Sequence, residues 1–184
     1  MLTPRFTHAL EWAHHLHFTQ MRKGTEIPYI SHLMAVSGLV LEHGGTEDQA
    51  IAGLLHDAAE DAGGKPTLER IRREFGDAVA DIIADCTDAW TEPKPPWRDR
   101  KETYIEMAAQ KSVISLLVSL ADKTHNAEAI QNDYLTLGEK LWSRFNGGAD
   151  GTRWYYRSLT DVFGEKLPGP LHKRLARAVT EFGG

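Results

Sequence analysis

The chain has 184 residues, of which 41% are hydrophobic and 26% are charged, and its formal net charge at pH 7 is −5. This length is sufficient to bury a hydrophobic core, so residues 1–184 are predicted to form one globular domain. The negative charge argues against a nucleic-acid-binding protein, and a polyphosphate ligand would need a metal ion and local cations to attract it.

Neither a secretory signal nor a membrane association is expected from the sequence. The N-terminal residues lack a basic stretch followed by an apolar run, and no stretch approaches the roughly 18 apolar residues of a transmembrane helix. Cys86 is the single cysteine, which excludes an internal disulfide and fits a reducing cytoplasm. Since it follows Val79, Ile82 and Ile83 at helical spacing, we interpret Cys86 as a core thiol.

Helical periodicity begins near the N-terminus. Thr3-Pro4 is a typical N-cap and first-turn pair, and the segment after it places Phe6, Leu10, Ala13 and His17 on one side. Further helices are predicted over residues 31–42, 46–61, 77–88, 98–110, 111–131 and 171–182, and another opens at Pro66-Thr67.

Loops are predicted where glycine and proline are concentrated, at residues 24–28, 91–97 and 146–151. The proline-rich segment 91–97 can flank a pocket, but we interpret it as a surface loop. Because no alternating strand pattern or internal repeat is found, the sequence predicts an all-α fold.

The segment Leu54–Asp61 (LLHDAAED) ends a predicted apolar helix with four ionisable side chains. On a continuous helix His56 lies one turn from Glu60 and Asp57 one turn from Asp61, so the four share an arc of about 140°. Three neighbouring carboxylates repel one another and lose hydration, a cost that a divalent cation would relieve. A solvated helix end would also tolerate these charges, so the segment alone leaves both interpretations open.

Two further fragments present polar side chains at the ends of apolar or loop segments. The apolar run 116–121 is followed by Asp122 and, one turn later, by Asn126, while His32 stands where the loop after Pro28 enters a helix. Either residue alone has an ordinary structural explanation, as a helix cap or a packed histidine. We assign no role to the histidines that lack such a pattern, namely His8, His14, His15, His17, His43 and His172.

The three fragments occur in order as RKG…PYISH (22–32), LLHD…ED (54–61) and LADK…HN (120–126). Together they resemble the HD superfamily, named after its adjacent His-Asp pair, and within it the alarmone hydrolases. The resemblance covers residues 5 to 131 and continues more weakly into the C-terminal helices. It implies an all-α bundle of about eight to ten helices.

In that family the corresponding four residues hold one divalent cation, commonly manganese. The resemblance therefore implies that His32, His56, Asp57 and Asp122 are metal ligands. Mixed imidazole and carboxylate ligation suits Mn²⁺, but the sequence alone leaves Fe²⁺, Co²⁺ and Zn²⁺ open.

The family's acidic pair, which positions or deprotonates the attacking water, matches Glu60 and Asp61. A carboxylate within hydrogen-bonding reach of a water can accept its proton, so this role is chemically consistent. Two adjacent carboxylates need not both be ionised, and one can act as the base while the other orients the water.

The family's nucleotide-binding positions match Arg22, Lys23, Tyr29 and Asn126. An arginine can stack on a purine and a lysine can neutralise phosphate oxygens, whereas in isolation Arg22-Lys23 would be an ordinary solvated basic loop. Glu26 lies close to these residues in the sequence, and its negative charge is unfavourable in an anion-binding site. The number of substrate phosphates is therefore left open.

The resemblance implies a stand-alone hydrolase that removes the 3′-diphosphate of guanosine tetra- or pentaphosphate, ppGpp or pppGpp. The products would be pyrophosphate and GDP or GTP, and adenosine analogues are alternative substrates. Another HD nucleotide phosphohydrolase, or a module that binds the alarmone without cleaving it, remains as an alternative. The sequence leaves the oligomeric state open, including a homo-oligomer.

Overall fold

Ten α-helices and one 3-10 helix make up the secondary structure of residues 1–90 and 93–183, which the computed structural model describes. Within these residues the only β-structure is an isolated bridge between Met21 and Pro28. The prediction of an all-α fold is confirmed. The helices are α1 Pro4–Leu16, α2 Ile30–Glu42, α3 Glu47–Leu55, α4 Ala58–Asp61, α5 Gly64–Phe75, α6 Asp77–Cys86, α7 Trp97–Ala108, α8 Val113–Leu137, α9 Gly148–Lys166 and α10 Pro170–Gly183, with the 3-10 helix Gly138–Arg144 between α8 and α9.

The N-terminal helix begins as its sequence predicts. The Thr3 hydroxyl accepts a hydrogen bond from the Arg5 backbone amide, and Pro4 occupies the first turn, where its missing N–H costs no hydrogen bond. Ala13 and His17 on the predicted inner side are buried. Helix α1 therefore delivers a buried histidine to the loop that follows it.

The prediction of one continuous helix over residues 46–61 is wrong. Helix α3 begins at Thr46 with a capping box but ends at Leu55, and α4 begins at Ala58. The cause is local: the His56 Nδ1 atom lies 2.9 Å from the carbonyl oxygen of Gly53, which a continuing α-helix would offer to the amide of Asp57. Because the side chain takes this acceptor, His56 and Asp57 form a turn rather than part of a helix.

Other boundaries shift where tertiary packing extends a helix. Helix α8, which packs along α10, runs to Leu137 instead of residue 131. The predicted loop 146–151 ends early, since α9 begins at Gly148. In the predicted loop 91–97, Thr91 and Glu92 lie outside the described residues.

The core is centred on α8, which packs against α2, α3 and α10. Its largest fully buried side chains include Leu33, Ile51, Leu120 and Phe163. Since α2, α3 and α8 pack against one another, polar residues at the beginning of α2, after the end of α3 and in the middle of α8 are brought together. None of the described helices is long and apolar enough to cross a lipid bilayer.

Candidate metal centre and active site

The four predicted metal ligands converge, although they come from three separate parts of the chain. His32 lies in the first turn of α2, His56 and Asp57 form the turn after α3, and Asp122 lies in the middle of α8. The side chains of both histidines and Asp122 are at least nine-tenths buried. One ligand atom from each of His32, His56 and Asp57 falls within 4.8 Å of the others.

The fourth residue, Asp122, closes this cluster. Its Oδ1 atom lies 3.3 Å from His32 Nε2 and 3.5 Å from His56 Nε2. Asp57 Oδ2 approaches the same two nitrogens at 3.8 and 3.0 Å. Two imidazole nitrogens and two carboxylate oxygens thus face a common point.

The cluster fits a divalent cation on two observations. The Nε2 atoms of His32 and His56 are buried and have no hydrogen-bond partner among the residues that the structure describes, although buried polar atoms are normally paired. The opposite ring atom of each histidine is held, His56 Nδ1 by the Gly53 carbonyl and His32 Nδ1 by His125 Nδ1, both at 2.9 Å. Such outer contacts orient imidazole ligands toward a metal.

Electrostatics keep the carboxylate ligands ionised. Burial alone would raise the pKa of Asp122, but Lys123 and the two imidazoles hold that pKa well below its usual value. Burial likewise opposes charge on Asp57, and its pKa is lowered chiefly by His56. Both groups can therefore accept a cation without first losing a proton.

Tyr29 and Asn126 contact the metal-ligand carboxylates directly. The Tyr29 hydroxyl donates to Asp57 Oδ2 at 2.6 Å, and Asn126 Nδ2 donates to Asp122 Oδ1 at 2.5 Å. Arg22 in turn donates to Asn126 Oδ1 at 2.8 Å, and its guanidinium lies 5.8 Å from the centre of the Tyr29 ring. Three of the four predicted substrate-binding residues therefore connect to the cluster.

Two cavities meet at Tyr29 and Asn126. The larger, of about 530 Å³, is lined by all four predicted substrate-binding residues, including the exposed Lys23, and extends to Tyr156. This volume lies in the range of small-ligand pockets. The smaller cavity, of about 190 Å³, contains the predicted metal-ligand and catalytic carboxylates and two lysines. Its lining residues are Tyr29, Asp57, Glu60, Asp61, Cys86, Asp88, Lys101, Asp122, Lys123 and Asn126.

The predicted catalytic pair, Glu60 and Asp61, lies on α4 at the edge of the smaller cavity. Lys94 donates to Glu60 Oε1 at 2.7 Å, yet burial and the nearby Asp88 raise the pKa of Glu60. Asp61 is exposed, and its Oδ2 atom accepts a hydrogen bond from Gln20 Nε2 at 2.8 Å. The two adjacent carboxylates thus have different environments.

Three charged residues around the smaller cavity, Asp88, Lys94 and Lys101, belong to none of the motifs found in the sequence. Lys101 contacts Asp88 at 2.5 Å. Lys123, which follows a predicted metal ligand and could simply cap its helix, contacts Asp122 Oδ2 at 2.6 Å. Lys94 reaches Glu60 from the segment interpreted as a surface loop. The concentration of lysines in and beside this segment, at positions 94 and 101, was the available signal.

Cys86, interpreted as a core thiol, is only part-buried. It packs against the core and also lines the smaller cavity. Burial raises the pKa of its thiol, and Sγ lies 3.5 Å from the Ser119 hydroxyl. These surroundings favour a neutral thiol.

Residues 9–152 match the profile of a family described as HD domain. The chain belongs to the HD domain family. The matched range contains the adjacent residues His56 and Asp57. Membership implies a divalent cation, which His32, His56 and Asp57 could hold, since one ligand atom of each lies within 4.8 Å of the others.

Curated relatives of this HD domain chain include two enzymes named guanosine-3′,5′-bis(diphosphate) 3′-pyrophosphohydrolase MESH1. The enzyme of Xenopus tropicalis is 39% identical over 121 residues, which cover 64% of this chain and 65% of the relative. That of Drosophila melanogaster is 32% identical over 130 residues, which cover 69% and 70%. The match thus spans about two thirds of the length of these relatives.

Solved structures share the fold. A metazoan ortholog of SpoT, which hydrolyses ppGpp, superposes with a TM-score of 0.80 at 26% identity, covering 100% of this chain and 98% of the other. The lmo0812 structure from Listeria monocytogenes gives a TM-score of 0.72 at 29% identity, covering 83% and 98%.

Proposed function

We propose that this chain is a metal-dependent hydrolase that removes the 3′-diphosphate of ppGpp or pppGpp, releasing pyrophosphate and GDP or GTP. Adenosine analogues of these alarmones are further candidate substrates. The observation that carries the proposal is the convergence of His32, His56, Asp57 and Asp122 beside a cavity large enough for a nucleoside. The activities named for the MESH1 relatives support the same reaction.

In this proposal the two imidazoles and two carboxylates hold one divalent cation, and we propose Mn²⁺ on the mixed nitrogen and oxygen donor set. A bound divalent cation would supply Lewis acidity to the phosphoryl group and make a water more acidic. Tyr29 and Asn126 keep the ligand carboxylates oriented through their hydrogen bonds. Lys123 neutralises the Asp122 oxygen that faces away from the histidines.

Glu60 and Asp61 orient the attacking water and accept its proton. A raised pKa makes the Glu60 carboxylate a stronger base than an ordinary glutamate once it is ionised, and the hydrogen bond and charge of Lys94 offset part of that rise. Asp61, whose Oδ2 is held by Gln20, has Oδ1 available to orient the water.

The nucleoside occupies the larger cavity. The planar guanidinium of Arg22, already held by Asn126, can stack on the purine, and the exposed Lys23 can neutralise phosphate oxygens. The phosphates then extend past Tyr29 and Asn126 into the smaller cavity, where the carboxylates and lysines lie.

We further propose that residues 1–184 work as one such hydrolase domain in the cytoplasm, where the single thiol, Cys86, would stay reduced. The proposed partner is a small nucleotide and not a nucleic acid, in keeping with the net charge of −5. A homo-oligomer is compatible with this function.

The test incubates the purified full chain with Mn²⁺ and a panel comprising ppGpp, pppGpp, their adenosine analogues and nucleoside monophosphates. We expect pyrophosphate as the product, and a loss of at least about 100-fold in Asp57→Ala. The exposed Asp161→Ala variant serves as the matched control and should retain full activity. Release of monophosphate alone, or binding of ppGpp without turnover, would each refute the proposal.

A further inference from the structure

A buried histidine at the end of α1, which belongs to none of the sequence motifs, is connected by hydrogen bonds to the proposed catalytic residue Asp61. His17 is 3% exposed, and its Nδ1 atom lies 2.6 Å from Gln20 Oε1. The other end of the same amide, Gln20 Nε2, donates to Asp61 Oδ2 at 2.8 Å. We propose that His17 and Gln20 are positioning residues that fix the Asp61 carboxylate for the hydrolysis proposed above.

The direction of each hydrogen bond follows from the chemistry of the groups. An ionised carboxylate only accepts hydrogen bonds, so the amide NH₂ of Gln20 must face Asp61 and its carbonyl oxygen must face His17. A carbonyl oxygen also only accepts, so His17 must carry its hydrogen on Nδ1. His17 Nε2 is buried without a hydrogen-bond partner in the described part of the chain, which disfavours a second hydrogen there. A hydrogen on His17 Nδ1 therefore donates to the carbonyl end of Gln20 and reinforces the orientation in which the amide NH₂ faces Asp61.

The imidazole can reinforce this direction because its own orientation is fixed. The His17 ring stacks on Tyr29, with 5.3 Å between ring centres and 28° between planes. Tyr29 is itself held by its hydrogen bond to Asp57. The same histidine thus packs against the residue that supports a proposed metal ligand and directs the residue that supports Asp61.

The Gln20 side chain is not required to hold the local backbone. The backbone amide of Gln20 donates to the backbone carbonyl of His17 at 3.0 Å, and the backbone carbonyl of Gln20 accepts from the backbone amide of Tyr29 at 2.9 Å. Neither bond involves the side chain of Gln20. Replacing that side chain therefore tests its contact with Asp61 rather than the turn.

Asp61 needs an external support because of its place in the fold. It is exposed and ends the four-residue helix α4, so its own surroundings leave several rotamers accessible. The bond from Gln20 fixes Oδ2 and leaves Oδ1 to face a water. Fixing a catalytic group before reaction lowers the entropy cost of the transition state, so the support should act on kcat.

The first experiment compares Gln20→Glu with the wild type, using the full chain, Mn²⁺ and ppGpp. The substitution keeps the shape of the side chain but replaces the donor with an oxygen that repels Asp61. We expect kcat to fall about 10- to 100-fold, the range for a lost hydrogen bond to a charged group, with KM, Mn²⁺ content and Tm close to wild type. An unchanged kcat in an active wild-type background would overturn the inference and leave the proposed function intact.

A double-mutant cycle separates positioning from a merely structural bridge between the end of α1 and α4. If Gln20 acts through Asp61, Gln20→Glu should cost no further activity in an Asp61→Asn background. If Gln20→Glu lowers kcat by the same factor in both backgrounds, Gln20 does not act through Asp61.

A matched pair at position 17 tests the assigned hydrogen. The amide nitrogen of asparagine can occupy the place of His17 Nδ1, whereas that of glutamine falls near Nε2. We expect His17→Asn to retain at least about tenfold more activity than His17→Gln; equal activities would overturn the inference.

A further measurement needs no turnover, so it tests the hydrogen bonds from His17 to Gln20 and from Gln20 to Asp61 even if the proposed reaction is wrong. Imidazole ¹⁵N chemical shifts of the wild-type protein should show His17 as the neutral Nδ1–H tautomer. Finding the hydrogen on Nε2 would overturn the inference independently of any activity. A wild type that cleaves no nucleotide but shows the Nδ1–H tautomer would refute only the proposed function.

Discussion

At the scale of single residues, Tyr29 and Asn126 combine two tasks. Their positions face the cavity proposed for the nucleoside, yet their polar atoms donate to Asp57 and Asp122. Burial and the neighbouring Asp57 raise the pKa of the Tyr29 hydroxyl, so it stays protonated and remains a donor. Substitutions there should change metal affinity as well as substrate binding.

We predict that Tyr29→Phe weakens Mn²⁺ binding about tenfold, because outer partners of ligating groups typically contribute 10- to 100-fold to affinity. The retained ring still stacks on His17, so the fold should not change. Isothermal titration of the metal-free protein with Mn²⁺ measures the effect. The control is Tyr134→Phe, whose hydroxyl contacts the exposed Glu139 instead; equal affinities of the two variants would contradict the prediction.

Several residues of the site could not be found from one sequence. The ligand set followed from the resemblance, since the RKG…PYISH, LLHD…ED and LADK…HN fragments carry it. The contacts of Lys94 with Glu60 and of Gln20 with Asp61 join residues 34 and 41 positions apart. Periodicity reports neighbours within one element, so such long-range side-chain pairs leave no pattern in the sequence.

At the scale of elements, the site depends on how closely α2 approaches α3. The Ser37 hydroxyl of α2 donates to the Ala50 carbonyl of α3 at 2.8 Å. A methyl group added at Gly53 would lie 3.1 Å from Ser37 Cα, a backbone atom that cannot move alone. Gly53 thus lets the two helices bring His32 and His56 together.

We predict that Gly53→Ala lowers stability by about 1–3 kcal/mol, as overpacking does, and weakens Mn²⁺ binding by separating the two histidines. Gly38→Ala on α2 is the matched control, because an added methyl meets no described atom within 4 Å there. Its gain in helix propensity should stabilise the protein by about 0.5–1 kcal/mol. Urea unfolding and Mn²⁺ titration of both variants measure these effects. Equal stabilities and equal Mn²⁺ affinities would argue against the proposed close contact between α2 and α3.

The elements also show where periodicity stops being informative. Apolar spacing predicted α1, α2 and α6, because the inner face of each helix is buried at intervals of three or four residues. The break after Leu55 depends on one contact between a side chain and the backbone, and the extension of α8 depends on packing against α10. Neither interaction changes the apolar pattern, so neither boundary could be predicted.

At the scale of the whole molecule, the distribution of charge is unfavourable for binding the polyphosphate substrate proposed above. The net charge of −5 repels a polyphosphate. The site itself also contains acidic side chains, among them Asp57, Glu60 and Asp122. Lys94, Lys101 and Lys123 offset part of that charge locally. The folded state therefore carries carboxylate repulsion that a divalent cation would reduce.

Metal removal should accordingly lower the stability of the entire fold. A cation that binds only the folded state stabilises it by about 2.7 kcal/mol at 100 times its dissociation constant, which corresponds to a Tm increase of roughly 5–10 °C for a chain of this size. Calorimetry of chelator-treated protein at rising Mn²⁺ concentrations should show Tm increasing with the logarithm of free metal. Asp57→Ala should lose this dependence and Asp161→Ala should keep it. If the wild-type Tm does not change with Mn²⁺ concentration, the four proposed metal ligands contact only one another and do not bind the cation.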